Sequence, residues 1–185
     1  MSLTEKPCDQ AGNLLEIIDN HPVNGVKKKF GVCSKQIFYT NETIGVRFIE
    51  WVHLVRILGA AKIHFPVKYL TPNVTKIVDY YERYGIVQTW PFVEPVGLSN
   101  IPLSRWQNLL LEVTMVTDCF YRVMHFYEYV VVLDFDEVIM PVNPIDRNWT
   151  ALLNRFPEDP NKFVDGFSVR FVYFPETCLL YTSPS

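Results

Sequence analysis

Asp134, Asp136 and Glu137 close an apolar run, YVVVLDFDEVIMP over residues 129–141. Three carboxylates this close repel one another and resist burial. A cation is expected beside them: a metal ion, an Arg or Lys, or a protonated partner. The run is too short to cross a membrane and too β-branched to favour a helix, so it reads as a buried parallel strand. Ligands of open α/β sheets bind just outside the carboxyl ends of strands, where this cluster would lie. In a regular strand the Asp134 and Asp136 side chains share a face about 7 Å apart. A tight turn at the strand end would bring both to one ion.

Two chemistries fit an apolar strand followed by Asp-x-Asp. In the first, the carboxylates hold Mn²⁺ or Mg²⁺ against the diphosphate of a nucleotide sugar, and the metal stabilises the departing diphosphate. In the second, Asp134 is a nucleophile that accepts a phosphoryl group and Asp136 is the acid/base. Asp134-Phe135-Asp136-Glu137-Val138 matches that phosphatase pattern, of the haloacid dehalogenase-like type, literally. An acidic loop at a sheet edge is the third possibility. There is no Gly-rich Walker loop, so a P-loop nucleotide site is excluded.

The elements that must position these acids alternate. Phe30 to Tyr39 reads as a strand, and Asn41 or Thr43 caps a helix with Phe48, Trp51, Val52, Val55 and Leu58 on one face and Gly59 at its end. Ala61 to Leu70 is a second strand. Thr71-Pro72 starts a second helix, with Val74, Ile77, Val78 and Tyr81 inward and Gly85 as its stop. Ile86 to Phe92 is a third strand. Ser104 and Gln107 form a capping box for a long helix to about Phe126, with Trp106, Leu109, Leu110, Val113, Val116 and Phe120 facing inward. The acidic strand follows as the central strand, then a turn over Pro141 to Arg147, a short helix over Trp149 to Phe156, and a strand with Phe167, Val169, Phe171 and Tyr173 alternating. This is a Rossmann-like, mostly parallel α/β sheet with helices on both faces. Residues 1–26 read as an irregular lead-in and 27–185 as one domain or a piece of a larger one.

Placement bears on the chemistry. The phosphatase pattern belongs on the first strand of its domain, whereas here alternating strands and helices fill the chain before it. That phosphatase class also needs a downstream Lys and an acidic pair. Lys162 is the only lysine after the motif, and Asp165 has no acidic neighbour.

Bulk properties narrow the field further. With 49% hydrophobic residues among 185, the chain can bury a substantial core, and its net charge of −3 offers no basic field for nucleic acid. No segment approaches the roughly 20 apolar residues of a membrane span, and the N-terminus has no signal-peptide pattern. Cys8, Cys33, Cys119 and Cys178 form no CxxC and permit two disulfides without requiring them. Asn41, Asn73 and Asn148 each open an Asn-x-Thr glycosylation acceptor. Their number suits a secretory route, and equally suits Asn and Thr serving as helix caps. His53, His64 and His125 read as packed or exposed structural histidines.

The chain resembles glycosyltransferase family 92. The resemblance is carried by Thr117-Asp118-Cys119-Phe120-Tyr121-Arg122, then Tyr129-Val130-Val131, then Asp134-Phe135-Asp136-Glu137-Val138-Ile139-Met140-Pro141. Weaker echoes are Val32-Cys33-Ser34-Lys35, Phe48-Ile49-Glu50-Trp51, Val78-Asp79-Tyr80-Tyr81 and Phe167-Ser168-Val169-Arg170-Phe171, so it spans roughly residues 30–175. Thr117 and Val138 depart from the family's usual Asn and Phe. The resemblance implies a GT-A-type fold present as a partial domain, with residues 27–185 as its N-terminal, donor-binding part, a divalent metal, usually Mn²⁺, and a UDP-sugar donor. It implies transfer of galactose with inversion onto a glycan, in the Golgi lumen or membrane, by proteins that are typically membrane-anchored. Asp134 and Asp136 would hold the metal and nucleotide sugar, with Glu137 beside them. The general base is expected beyond Ser185. Asp118 is expected to pair with Arg122 four residues on. A non-catalytic, nucleotide-binding remnant is the remaining alternative.

Overall fold

The computed structural model describes residues 22, 25–35, 44–68, 70–92, 105–156 and 164–173, with side chains described for all of these except 105–110. It forms two compact units, Met1–Val138 and Ile139–Ser185.

The first unit is an all-parallel α/β sheet. Its elements run β1 (Lys28–Cys33), α1 (Ile44–Leu58), β2 (Ala60–Val67), α2 (Pro72–Arg83), β3 (Val87–Pro91), α3 (Arg105–Val123) and β4 (Tyr127–Val132). The strand order is β3-β2-β1-β4. The chain therefore builds outward from β1 in one direction, then crosses back to lay β4 on β1's other side. Right-handed crossovers place helices on opposite faces when that direction reverses. The point of reversal lies between the carboxyl ends of β1 and β4.

Local sequence explains most of these boundaries. Phe48, Trp51, Val52, Val55 and Leu58 are all buried on α1, as their spacing predicts. Gly59 ends the helix at φ +120°, a conformation that L side chains rarely adopt. Arg56 in the last turn donates through Nη1 to the carbonyls of Ala60 and Ala61, at 3.1 and 2.7 Å. The β1–β2 register slips at this place, between Phe30 and Gly31. Thr71 is the N-cap residue of α2, Pro72 follows at its start, and Gly85 stands just beyond its end at φ +68°. Val74, Val78 and Tyr81 are buried, and Ile77 is half-buried. Pro66 lies inside a central strand. It is tolerated because β1 stops pairing with β2 at His64, leaving no ladder bond for the missing N–H to make.

Helix α3 buries a different face from the expected one. Leu111, Met115, Cys119 and Val123 are buried, while Val113 is 63% and Phe120 40% exposed. The helix carries two apolar stripes at helical spacing. The i, i+4 stripe through Cys119 wins because a disulfide ties Cys119 to Cys33 on β1. Both cysteines lie in a buried cluster with Val123 and Tyr127. Trp106, Leu109 and Leu110, expected on the inward face, lie outside the described side chains.

Strand β4 is parallel, as expected, but neither central nor fully buried. Among the described residues it pairs only with β1, and Val132 is half exposed. Tyr127 and Leu133 at its two ends are the buried residues.

The second unit holds a turn and a short helix, α4 (Trp149–Leu153). Asn148 caps α4, its side chain accepting from the Ala151 N–H at 2.9 Å. Trp149 is buried and donates through Nε1 to the Ile139 carbonyl at 2.9 Å. Arg155 pairs with Asp146. Residues 164–173 are not a strand. Phe167, Val169, Phe171 and Tyr173 are all exposed, and so are the residues between them. Alternation stabilises a strand only where a ladder and a buried face exist, and among the described residues no ladder reaches this segment. The expected caps at Asn41, Thr43 and Ser104, the end of the first strand to Tyr39, and Cys8, Cys178 and Lys162 lie outside the described residues.

Candidate active site

The acidic triplet lies at the carboxyl end of β4, as its sequence position predicts. β4 ends at Val132, and Leu133 extends it by donating its N–H to the Cys33 carbonyl at 3.1 Å. The chain then turns: the Glu137 N–H donates to the Asp134 carbonyl at 3.0 Å. Glu137 Oε2 accepts in return from the Asp134 N–H at 3.1 Å. This reciprocal pair follows the logic of a capping box.

Two aromatic anchors fix the turn. Phe135, between the two aspartates, meets Phe48, Trp51 and Phe65 edge-on, with ring centroids 5.5, 5.2 and 5.5 Å away. Such edge-to-face contacts add about 0.5–1.5 kcal/mol beyond area burial. Trp51 also donates through Nε1 to the Glu137 carbonyl at 2.8 Å. Pinning Phe135 inward leaves Asp134 half-buried and Asp136 exposed.

The cation expected beside these acids is a lysine. Lys35 Nζ lies 2.6 Å from Asp134 Oδ2 and 3.5 Å from Glu112 Oε1 on α3. Burial would lower the Lys35 pKa. The hydrogen bond and charge of Asp134, with the charge of Glu112, outweigh it and hold the ammonium above the ordinary lysine value. Lys35 follows β1 and Asp134 follows β4, so the pair straddles the point where the strand order reverses. That is the ligand-binding crevice of an open α/β sheet. Ser34, beside Lys35, is fully buried, and its Oγ has no hydrogen-bond partner among the described residues.

The structure thus puts Asp134, Asp136 and Glu137 on one tight turn but gives them different environments. Glu137 braces the turn. Asp134 holds a lysine. Asp136 faces solvent and makes no ion pair or hydrogen bond among the described residues. Among the described residues, no three His, Cys, Asp or Glu side chains form a set able to hold a metal ion. Two hard carboxylates still suit a divalent cation that arrives with phosphate oxygens and waters completing its shell. The unpartnered Ser34 hydroxyl is a further polar group at that strand end.

Sequence reasoning missed Lys35, Ser34 and the anchoring role of Trp51. The Val32-Cys33-Ser34-Lys35 echo, together with the Arg or Lys expected beside the acids, was the available signal.

Other polar residues read as structural. Asp118 Oδ2 accepts from Arg122 Nε at 2.8 Å and from Trp90 Nε1 at 2.9 Å, and the Arg122 guanidinium stacks 5.2 Å from the Trp90 ring centre. That bears out the expected Asp118–Arg122 pair and adds β3 to it. His53 meets the Tyr81 hydroxyl at 3.2 Å, and His64 is a packed core histidine.

With this geometry in place, comparison with known proteins is direct. The family model for glycosyltransferase family 92 matches residues 28–177. The chain belongs to glycosyltransferase family 92. Searches of curated proteins and of solved structures return no match. The four-stranded parallel sheet agrees with a Rossmann-like glycosyltransferase domain. Membership supports transferase activity and implies a nucleotide-sugar donor and a glycan acceptor. No helix among the described residues is long and apolar enough to cross a membrane.

Proposed function

We propose that the protein transfers a sugar, galactose, from a UDP-sugar to a glycan, using a divalent metal held by Asp134 and Asp136. The observation that carries this reading is the Asp134 carboxylate at the β1–β4 reversal, already gripping a cation 2.6 Å away. When bound, Mn²⁺ or Mg²⁺ would supply Lewis-acid stabilisation of the departing diphosphate. The chain's own contribution is rigidity. Phe135 and Trp51 lock the turn, Glu137 braces it, and the two aspartates stay at fixed places on it.

An inverting transfer needs a base at the acceptor hydroxyl. His64 is a poor base for this purpose, being buried and bonded to Tyr127. The Cys33–Cys119 disulfide supports an oxidising compartment, consistent with the Golgi lumen.

Calorimetric titration of UDP with and without Mn²⁺ tests the reading. Binding is expected only with Mn²⁺, and Asp136→Ala should abolish it while the fold survives. Equal binding of UDP by Asp136→Ala and the wild type would refute the metal role.

A further inference from the structure

The three acids have a named partner, and that partner has spare capacity. An ammonium carries three donors. Lys35 directs one to Asp134 at 2.6 Å and reaches Glu112 only at 3.5 Å. The strand end that leads into it is held by two neighbours. Two residues earlier, Cys33 is bonded to Cys119 on α3. One residue earlier, the Ser34 N–H donates to the His64 carbonyl at 2.9 Å. A half-buried cation on a pinned backbone loses little freedom when it binds an anion.

Charge balance asks for such a cation. A divalent ion on Asp134 and Asp136 is neutralised by the two carboxylates alone. The two negative charges of a nucleotide sugar's diphosphate, about three once the sugar has left, are then without compensation. The same ion competes with Lys35 for Asp134 Oδ2, because both are cations seeking one carboxylate. Losing that oxygen frees the ammonium at the strand end where the diphosphate must sit.

We propose that Lys35 is a donor-diphosphate ligand that Asp134 holds in reserve. Were a divalent cation to take Asp134, the Lys35 ammonium would be free to pass to the phosphate oxygens. Glu112 retains it near the site during the exchange. This rests on reading the turn as a metal–diphosphate site.

The two cation roles predict opposite signs for one substitution. Lys35→Met removes the competitor for Asp134, so Mn²⁺ alone should bind more tightly. The same change removes a phosphate ligand, so UDP in saturating Mn²⁺ should bind about tenfold or more weakly. Lys35→Arg keeps the charge and should retain most of the UDP affinity. Isothermal titration of Mn²⁺, and of UDP and uridine in Mn²⁺, reads all three. Reductive methylation of the wild-type chain, followed by mass spectrometry, needs no variant. UDP with Mn²⁺ should protect Lys35, and uridine with Mn²⁺ should not.

If the wild type binds UDP with Mn²⁺ while Lys35→Met binds both as the wild type does, the role of Lys35 is overturned and the metal site stands. Unchanged Lys35 labelling under UDP and Mn²⁺ overturns it equally. If the wild type binds no UDP with Mn²⁺, both readings fall together.

Discussion

Tyr127 Oη and His64 Nε2 lie 2.8 Å apart inside the sheet, with the tyrosine on β4 and the histidine on β2. The bond spans β1, which separates those strands. His64 is 3% exposed, and its Nδ1 has no partner among the described residues. Burial, helped by the charges of Lys62 and Lys28, lowers its pKa from 6.5 to about 4.

Acid should therefore loosen the fold before the carboxylates titrate fully. The unfolded chain takes up a proton near pH 6.5 that the folded chain refuses until about pH 4. Stability is fully present above 6.5 and is lost as pH falls towards 4, by about 3 kcal/mol in all. Urea melts from pH 7.5 to 4 should show this slope, and His64→Gln should flatten it. Burial raises the Tyr127 pKa to about 12, so a second loss is expected as pH rises from 10 towards 12.

Gly31 makes room for the Tyr127 ring. A Cβ at Gly31 would overlap the ring's Cγ, Cδ2 and Cε2, none of them a flexible end. Gly31→Ala should destabilise the fold by about 1–3 kcal/mol. Adding Tyr127→Ala should make the Gly31→Ala step nearly neutral in a double-mutant cycle read by chemical denaturation.

Much of this was legible from residue patterns, and the failures share a cause. The α1 stripe, the Thr71–Pro72 start and Gly85 stop of α2, and the Asp118–Arg122 pair are local, set within a few residues of sequence. What escaped was non-local. Helix α3 offers stripes through both Val113 and Met115, and only its link to β1 selects one. Phe167 to Tyr173 alternate correctly, yet a strand exists only where another strand receives it. Lys35 belongs only to a weak family echo, Val32 to Lys35, which names no role for it. Its meaning comes from Asp134, nearly a hundred positions away, brought beside it by the crossing from β3 to β4.

Loss of the Cys33–Cys119 bond should be costly. It closes a loop with a sequence separation of 86, for which chain-entropy arguments give about 4.6 kcal/mol. Cys33→Ala with Cys119→Ala, or wild type under reductant, should melt well below the oxidised chain in calorimetry. Equal melting temperatures would show that packing alone holds α3 on β1.

The two aspartates should separate stability from binding. Asp134→Asn deprives a half-exposed lysine of its charge partner and should cost about 1 kcal/mol after solvent screening. Asp136→Ala changes an exposed side chain and should stay within about 0.5 kcal/mol. Both should lose Mn²⁺-dependent UDP binding. Denaturation and titration of the same samples would check this.

The disulfide also sets an order of events during synthesis. Both of its cysteines precede Asp134 in the chain, and the N-terminal part of a chain leaves the ribosome first. Cys119 leaves the ribosome fifteen residues ahead of Asp134, so the first three strands and their helices can be sewn into a covalent ring as the acidic turn emerges behind them. The nascent turn then meets a finished socket, with its lysine already waiting.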